Sequence, residues 1–137
     1  MKAASKLTAG ALALALGVPA FAAALPPAKT EHGVTYLSGG VGADEAAAMK
    51  AEAKHYPLSL VFSAGKYGEY LAGVPVTIKD HAGKVVLNAA SDGPIMLVKL
   101  PPGRYRIAAT RRGNALHESV AVKAKRDTAV AFHWPQA

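Results

Sequence analysis

Ile95-Met96-Leu97-Val98-Lys99-Leu100-Pro101-Pro102-Gly103-Arg104-Tyr105-Arg106-Ile107-Ala108-Ala109-Thr110 is the stretch on which the fold turns. Its second half has a period of two. Tyr105, Ile107 and Ala109 share one face, while Arg104 and Arg106 share the other. That alternation marks a strand with one buried side. Pro101-Pro102-Gly103 is a turn, and Ile95 to Leu100 is a second strand. Ile95 and Leu97 lie on the face opposite Met96, Val98 and Leu100, so both faces are apolar at its start. A further layer is therefore expected over Ile95 and Leu97. Downstream, Gly113-Asn114 reads as a two-residue turn with Gly first, as type II′ requires. It places Ile107 opposite Val120 and Tyr105 opposite Val122.

The same period extends both ways. Leu58 to Phe62 is a strand, and Val74, Val76 and Ile78 alternate with polar neighbours. Asp80-His81-Ala82-Gly83 and Ser91-Asp92-Gly93-Pro94 are turns, and Val130, Phe132 and Trp134 close the chain. About seven strands at this spacing indicate a mainly β, antiparallel sandwich or barrel. One helix precedes them, over about residues 43 to 55. Ala, Met, Lys and Glu favour it, Asp44 and Glu45 suit its first turn, and Pro57 stops it. Before it stands Gly39-Gly40-Val41-Gly42. This run matches no phosphate-binding fingerprint, because no Lys-Ser/Thr and no parallel α/β pattern follow. It reads as a tight turn that docks the helix.

Residues 1–24 have the layout of a secretory signal peptide. Lys2 and Lys6 precede an apolar run from Leu7 to Phe21, and small residues follow. Cleavage is expected after Ala22 or Ala24. The run falls short of the roughly twenty residues that span a bilayer. The expected compartment is periplasmic or extracellular. Removing that segment takes the formal charge from +7 to +5. The basic balance, outside the cytoplasm, points away from nucleic acid. It points towards anionic headgroups, lipopolysaccharide or acidic glycans, or simply to solubility. No cysteine occurs, so the core alone must hold the domain.

The segments Gly73 to Asp80, Gly83-Lys84-Val85-Val86, Asp92-Gly93 and Leu100 to Ile107 together resemble the carboxypeptidase regulatory-like domain. The resemblance implies a short β-sandwich of the transthyretin (prealbumin) or immunoglobulin-like type over residues 58–137. A Gly-rich leader and helix occupy 25–57. Tyr36 to Gly42 also resembles the leading segment of small exported bacterial proteins that carry this domain. The family name implies no peptidase activity. Such domains serve as spacers, stalk modules and glycan-binding modules.

Candidate sites follow from this layout. The connection Lys66-Tyr67-Gly68-Glu69-Tyr70-Leu71 is long and aromatic, so Tyr67 and Tyr70 are glycan-platform candidates, with Trp134 either joining them or closing the core. Arg104, Arg106, Arg111 and Arg112, with Lys123, Lys125 and Arg126, suggest an anion-binding stripe. His117 and His133 would face each other if the final loop centres on Lys125, giving a weak metal pair that lacks a third ligand. No nucleophile elbow, His-x-x-Glu pair or convergent carboxylates can be read. The expectation is therefore a non-catalytic exported β-sandwich, without a cofactor, that binds or scaffolds an envelope component. The alternative is a small glycan- or anion-binding module using the 66–71 loop and the arginines.

Overall fold

The computed structural model describes residues 25–137, so the expected signal segment and its cleavage site lie outside the described residues. Strands β1 (Lys29–Glu31) and β2 (Val34–Gly39) lead into helix α1 (Ala43–Glu52), which a 3-10 turn, Ala53–His55, extends. Then follow β3 (Leu58–Ala64), β4 (Glu69–Tyr70), β5 (Pro75–Asp80), β6 (Val85–Ala90) and β7 (Ile95–Lys99). Strands β8 (Gly103–Arg111), β9 (Asn114–Val122) and β10 (Thr128–Trp134) complete the chain. One sheet has the order β1-β2-β7-β3-β10, with β4 also on β3; the other is β6-β5-β8-β9. The fold is a mainly β sandwich with one short helix. No helix among the described residues is long and apolar enough to cross a membrane.

The core follows the period-two faces. Leu58, Leu60, Phe62, Met96, Val98, Phe132 and Trp134 from the first sheet meet Val76, Ile78, Leu87, Tyr105 and Ile107 from the second. The other face of the first sheet carries a smaller core. There Leu37, Ile95 and Leu97 pack with Met49 of α1 and with Tyr56. This is the layer that the two apolar faces of β7 called for. Helix α1 has no side-chain cap at Gly42, and only Ala48 and Met49 are buried in it. Its entry is tied instead by the Gly40 N–H, which donates to Glu45 Oε1 at 2.8 Å.

Several expectations need correction. The described residues form ten strands, not about seven, because Lys29–Glu31 and Val34–Gly39, read as part of a leader, and Glu69–Tyr70, read as a loop, are strands too, Val34–Gly39 a buried one beside β7. The sandwich is not wholly antiparallel: β10 runs parallel to β3, with Thr128 opposite Leu58 and Trp134 opposite Ala64. The β8–β9 turn is Arg112-Gly113, not Gly113-Asn114. Both residues take positive φ, 49° and 81°, the type I′ geometry whose twist suits a hairpin. Tyr105 therefore faces Val120 and Ile107 faces Glu118. The slip is by two residues, so every side chain keeps its face. His117 and His133 do not meet: His117 lies opposite Ala108 in one sheet, and His133 opposite Ser63 in the other.

Candidate functional site: a basic cleft at the end of the sandwich

The parallel pairing of β3 and β10 builds the site. It sets the loop before β10 beside the turn before β3, and the Thr128 N–H donates to the Pro57 carbonyl at 2.8 Å. Residues 123–127 and residues 54–57 therefore form two walls of one cleft of about 740 Å³. Lys54 and His55 stand on one wall, and Lys123, Lys125 and Arg126 on the other. Tyr56, Pro57, Leu100 and Pro102 supply apolar surface between them. Among the described residues Asp127 is the one carboxylate in the lining. Lys125 holds the loop's tight bend at φ 60°, a conformation uncommon for a residue with a side chain.

The cations of the cleft form no ion pairs among the described residues. Among the described residues the only ion pairs are Lys29–Asp92 at 3.2 Å and His32–Glu31 at 3.8 Å. No cation of the cleft has a carboxylate of the described residues within salt-bridge reach. Lys99 Nζ lies 5.1 Å from the Tyr56 ring centroid.

Tyr56 and Tyr105 are the two buried tyrosines whose hydroxyls hold their protons unusually firmly. Burial raises both above the ordinary 10.0, helped by Glu52 beside Tyr56 and Asp80 beside Tyr105. The folded protein binds those protons more tightly than the unfolded chain. Their contribution to stability is whole below pH 10.0 and declines as pH rises through the folded values. A denaturant midpoint that stays level up to pH 9 and falls above about pH 10 is the expected result. A Tyr56→Phe, Tyr105→Phe chain should lose the part due to these two groups.

The arginines divide into two groups. Arg104 and Arg106 lie on the outer face of the second sheet, near Lys79 and His81 along a groove of about 600 Å³. Arg111 and Arg112 lie at the other end of β8, where their Nη1 atoms donate to the carbonyls of Gln136 and Ala137, each at 2.8 Å. They do not form one stripe with Arg104 and Arg106. Asp80, in the same groove, is occupied by its turn, accepting from the N–H groups of Ala82 and Lys84.

Tyr67 and Tyr70 are 83% and 65% exposed. Lys66 Nζ sits 5.6 Å from the Tyr67 ring centroid. Neither tyrosine lines the cleft or the groove. Trp134 is buried, and its Nε1 donates to the Asn114 carbonyl at 3.0 Å. It closes the core and is no platform. His133 Nδ1 lies 2.9 Å from Ser63 Oγ. Among the described residues no three metal-ligating side chains converge.

Sequence reading found the basic residues Lys123, Lys125 and Arg126, but not Lys54 and His55 nor that the two segments adjoin. The only signal would have been the parallel register of β3 and β10. Such pairing connects distant segments without a short turn, so it leaves no local mark.

No family model matches the chain. No curated protein matches it either. Solved structures similar to it include the 5-hydroxyisourate hydrolase of Klebsiella pneumoniae. That likeness has a TM-score of 0.47 and 16% identity, over 58% of this chain and 90% of the hydrolase. A second is the major pilin subunit BcpA of Bacillus cereus, with a TM-score of 0.43 and 14% identity. It covers 56% of this chain and 28% of the pilin. The expectation that the chain is not an enzyme is corrected here. One of these structures is a hydrolase, so the absence of a readable catalytic motif is no ground for excluding catalysis.

Proposed function

We propose that the chain is a β-sandwich binding module of the carboxypeptidase regulatory-like type, exported to the periplasm, that holds an anionic ligand in the basic cleft. The observation that carries this reading is the cleft itself. Lys54, Lys123, Lys125 and Arg126, with His55, surround an apolar floor and meet one carboxylate. Cations without partners attract an anion from solution, and an apolar floor favours a ligand with a ring or chain beside its charge. The leading basic and apolar segment supports export, and the segments from Gly73 to Ile107 support the family reading.

The test is binding of a short sulfated oligosaccharide by calorimetry. Affinity should fall steeply between 0.1 and 1 M salt, as the screening length contracts from about 10 Å to about 3 Å. A Lys123→Glu, Lys125→Glu chain should lose roughly tenfold or more in affinity with its melting temperature kept. Equal binding by that chain would refute the assignment. The exposure of Tyr67 and Tyr70 favours one second reading, a platform for neutral sugars. A neutral oligosaccharide that binds equally at both salt concentrations, and fails to bind Tyr67→Ala, would establish it instead.

A further inference from the structure

We propose that the outer face of the β6-β5-β8-β9 sheet carries a separate site for a tetrahedral oxyanion, a phosphate or sulfate group, held by Thr77, Lys79, Arg106 and His117. The sheet register brings these four side chains together. Thr77, Ala108 and His117 form one cross-strand row, and Lys79, Arg106 and Ser119 form the next. Rows on one face are separated by two residues, about 7 Å, and strands by about 4.8 Å. The donors therefore ring a small area. At its centre Ala108 offers only a methyl group, which leaves a dimple of about 90 Å³ lined by these five residues. That is room for one XO₄ group.

The chemistry of the lining selects an anion. Lys79 and Arg106 are exposed, and neither forms an ion pair among the described residues. Among the described residues no carboxylate lines the dimple. Glu118 falls in the row of Ile107, on the sheet's other side, and Asp80, which lines the neighbouring groove, accepts through Oδ1 from the Ala82 and Lys84 N–H groups of its own turn. Arg106 offers a planar fork that suits two oxygens of a phosphate or sulfate. Thr77 Oγ1 now donates to Asn88 Oδ1 at 3.4 Å, a long bond that a charged acceptor can replace. His117 adds a second ring donor when protonated. Lys79 from β5 and Arg106 from β8 share its face of the sheet. The site shares no residue with the basic cleft and stands or falls independently of it.

The experiment is an NMR titration of the labelled full chain with sodium phosphate and with sodium sulfate, against sodium chloride at matched ionic strength. Saturable shifts at Thr77, Lys79, Arg106 and His117 with both oxyanions, absent with chloride, are expected. Arg106→Gln should weaken binding by roughly tenfold. Ala108→Leu, which keeps every charge and fills the dimple, should abolish it. Lys123→Glu, Lys125→Glu should leave it unchanged. A sulfated monosaccharide run in parallel distinguishes the source: tighter binding than sulfate assigns an ester-borne group, weaker binding a free ion. Non-saturating shifts shared with chloride would overturn the proposal. So would shifts confined to residues 123–127, or an Ala108→Leu chain that binds as the parent does.

Discussion

Phe62→Ala is expected to lower the stability of the sandwich by about 3–5 kcal/mol. Phe62 is fully buried, and Phe132 lies directly opposite it in the parallel β3–β10 pair. Their ring centroids are 5.9 Å apart at 18°, and Phe132 stacks in turn on Trp134 at 6.5 Å and 27°. The three rings form a ladder that joins β10 to the rest of the core. Truncating the first leaves a void among strands that backbone pairing holds apart, so the site has little freedom to collapse. Domains of this size have a total stability of about 5–15 kcal/mol, and the chain has no cysteine to brace it. The expected fall in melting temperature is roughly 10–25 °C. A double-mutant cycle with Phe132→Ala should return about 0.5–1.5 kcal/mol of coupling beyond lost area. A loss under about 1 kcal/mol for Phe62→Ala would show that the rings do not anchor β10.

Much of this ladder was legible in the sequence, because burial has a period. Tyr105, Ile107, Phe62 and Phe132 each sit in a run whose alternate residues are apolar, and each does face the core. Face assignment needs only local pattern, and it survived a wrong turn. The β8–β9 register moved by two residues because Arg112, with φ 49°, takes the left-handed conformation expected of a glycine or asparagine. What no local pattern carries is the neighbour of a strand across the fold. His117 and His133 were set opposite each other on the assumption that β9 and β10 pair; they belong to different sheets. The basic cleft was missed for the same reason. Its walls, at residues 54–57 and 123–127, meet only through the parallel register of Thr128 with Leu58. The double apolar face of β7 is the counterexample. There the pattern demanded a cover, and Met49 and Tyr56 provide it.

The second large effect concerns a glycine for which space, rather than φ, is decisive. Gly93→Ala is expected to destabilise the protein by about 1–3 kcal/mol or more, and to loosen α1 selectively. Gly93 is buried, and a methyl group on it would overlap the backbone of Gly39, whose Cα lies 2.9 Å from the added carbon. Neither side can yield freely. Gly93 lies in the turn that opens β7, and Gly39 ends β2, paired with Ile95. On its other side Gly39 is backed by Glu45, whose Oε1 would lie 2.5 Å from a Cβ built there. Pushing Gly39 therefore pushes on the carboxylate that accepts from the Gly40 N–H and fixes the helix entry. Gly103→Ala is the control. Gly103 also lacks a left-handed φ, but an added Cβ meets nothing nearer than Tyr105 Oη at 3.5 Å, ordinary contact. That change should stay within about 0.5 kcal/mol of the parent. Hydrogen exchange on the two variants separates the causes. Faster exchange along Ala43–Glu52 in Gly93→Ala, with β8 and β9 still protected and Gly103→Ala unchanged, is the expected pattern. Equal effects from both substitutions would mean that backbone freedom, and not the contact between Gly93 and Gly39, sets the cost.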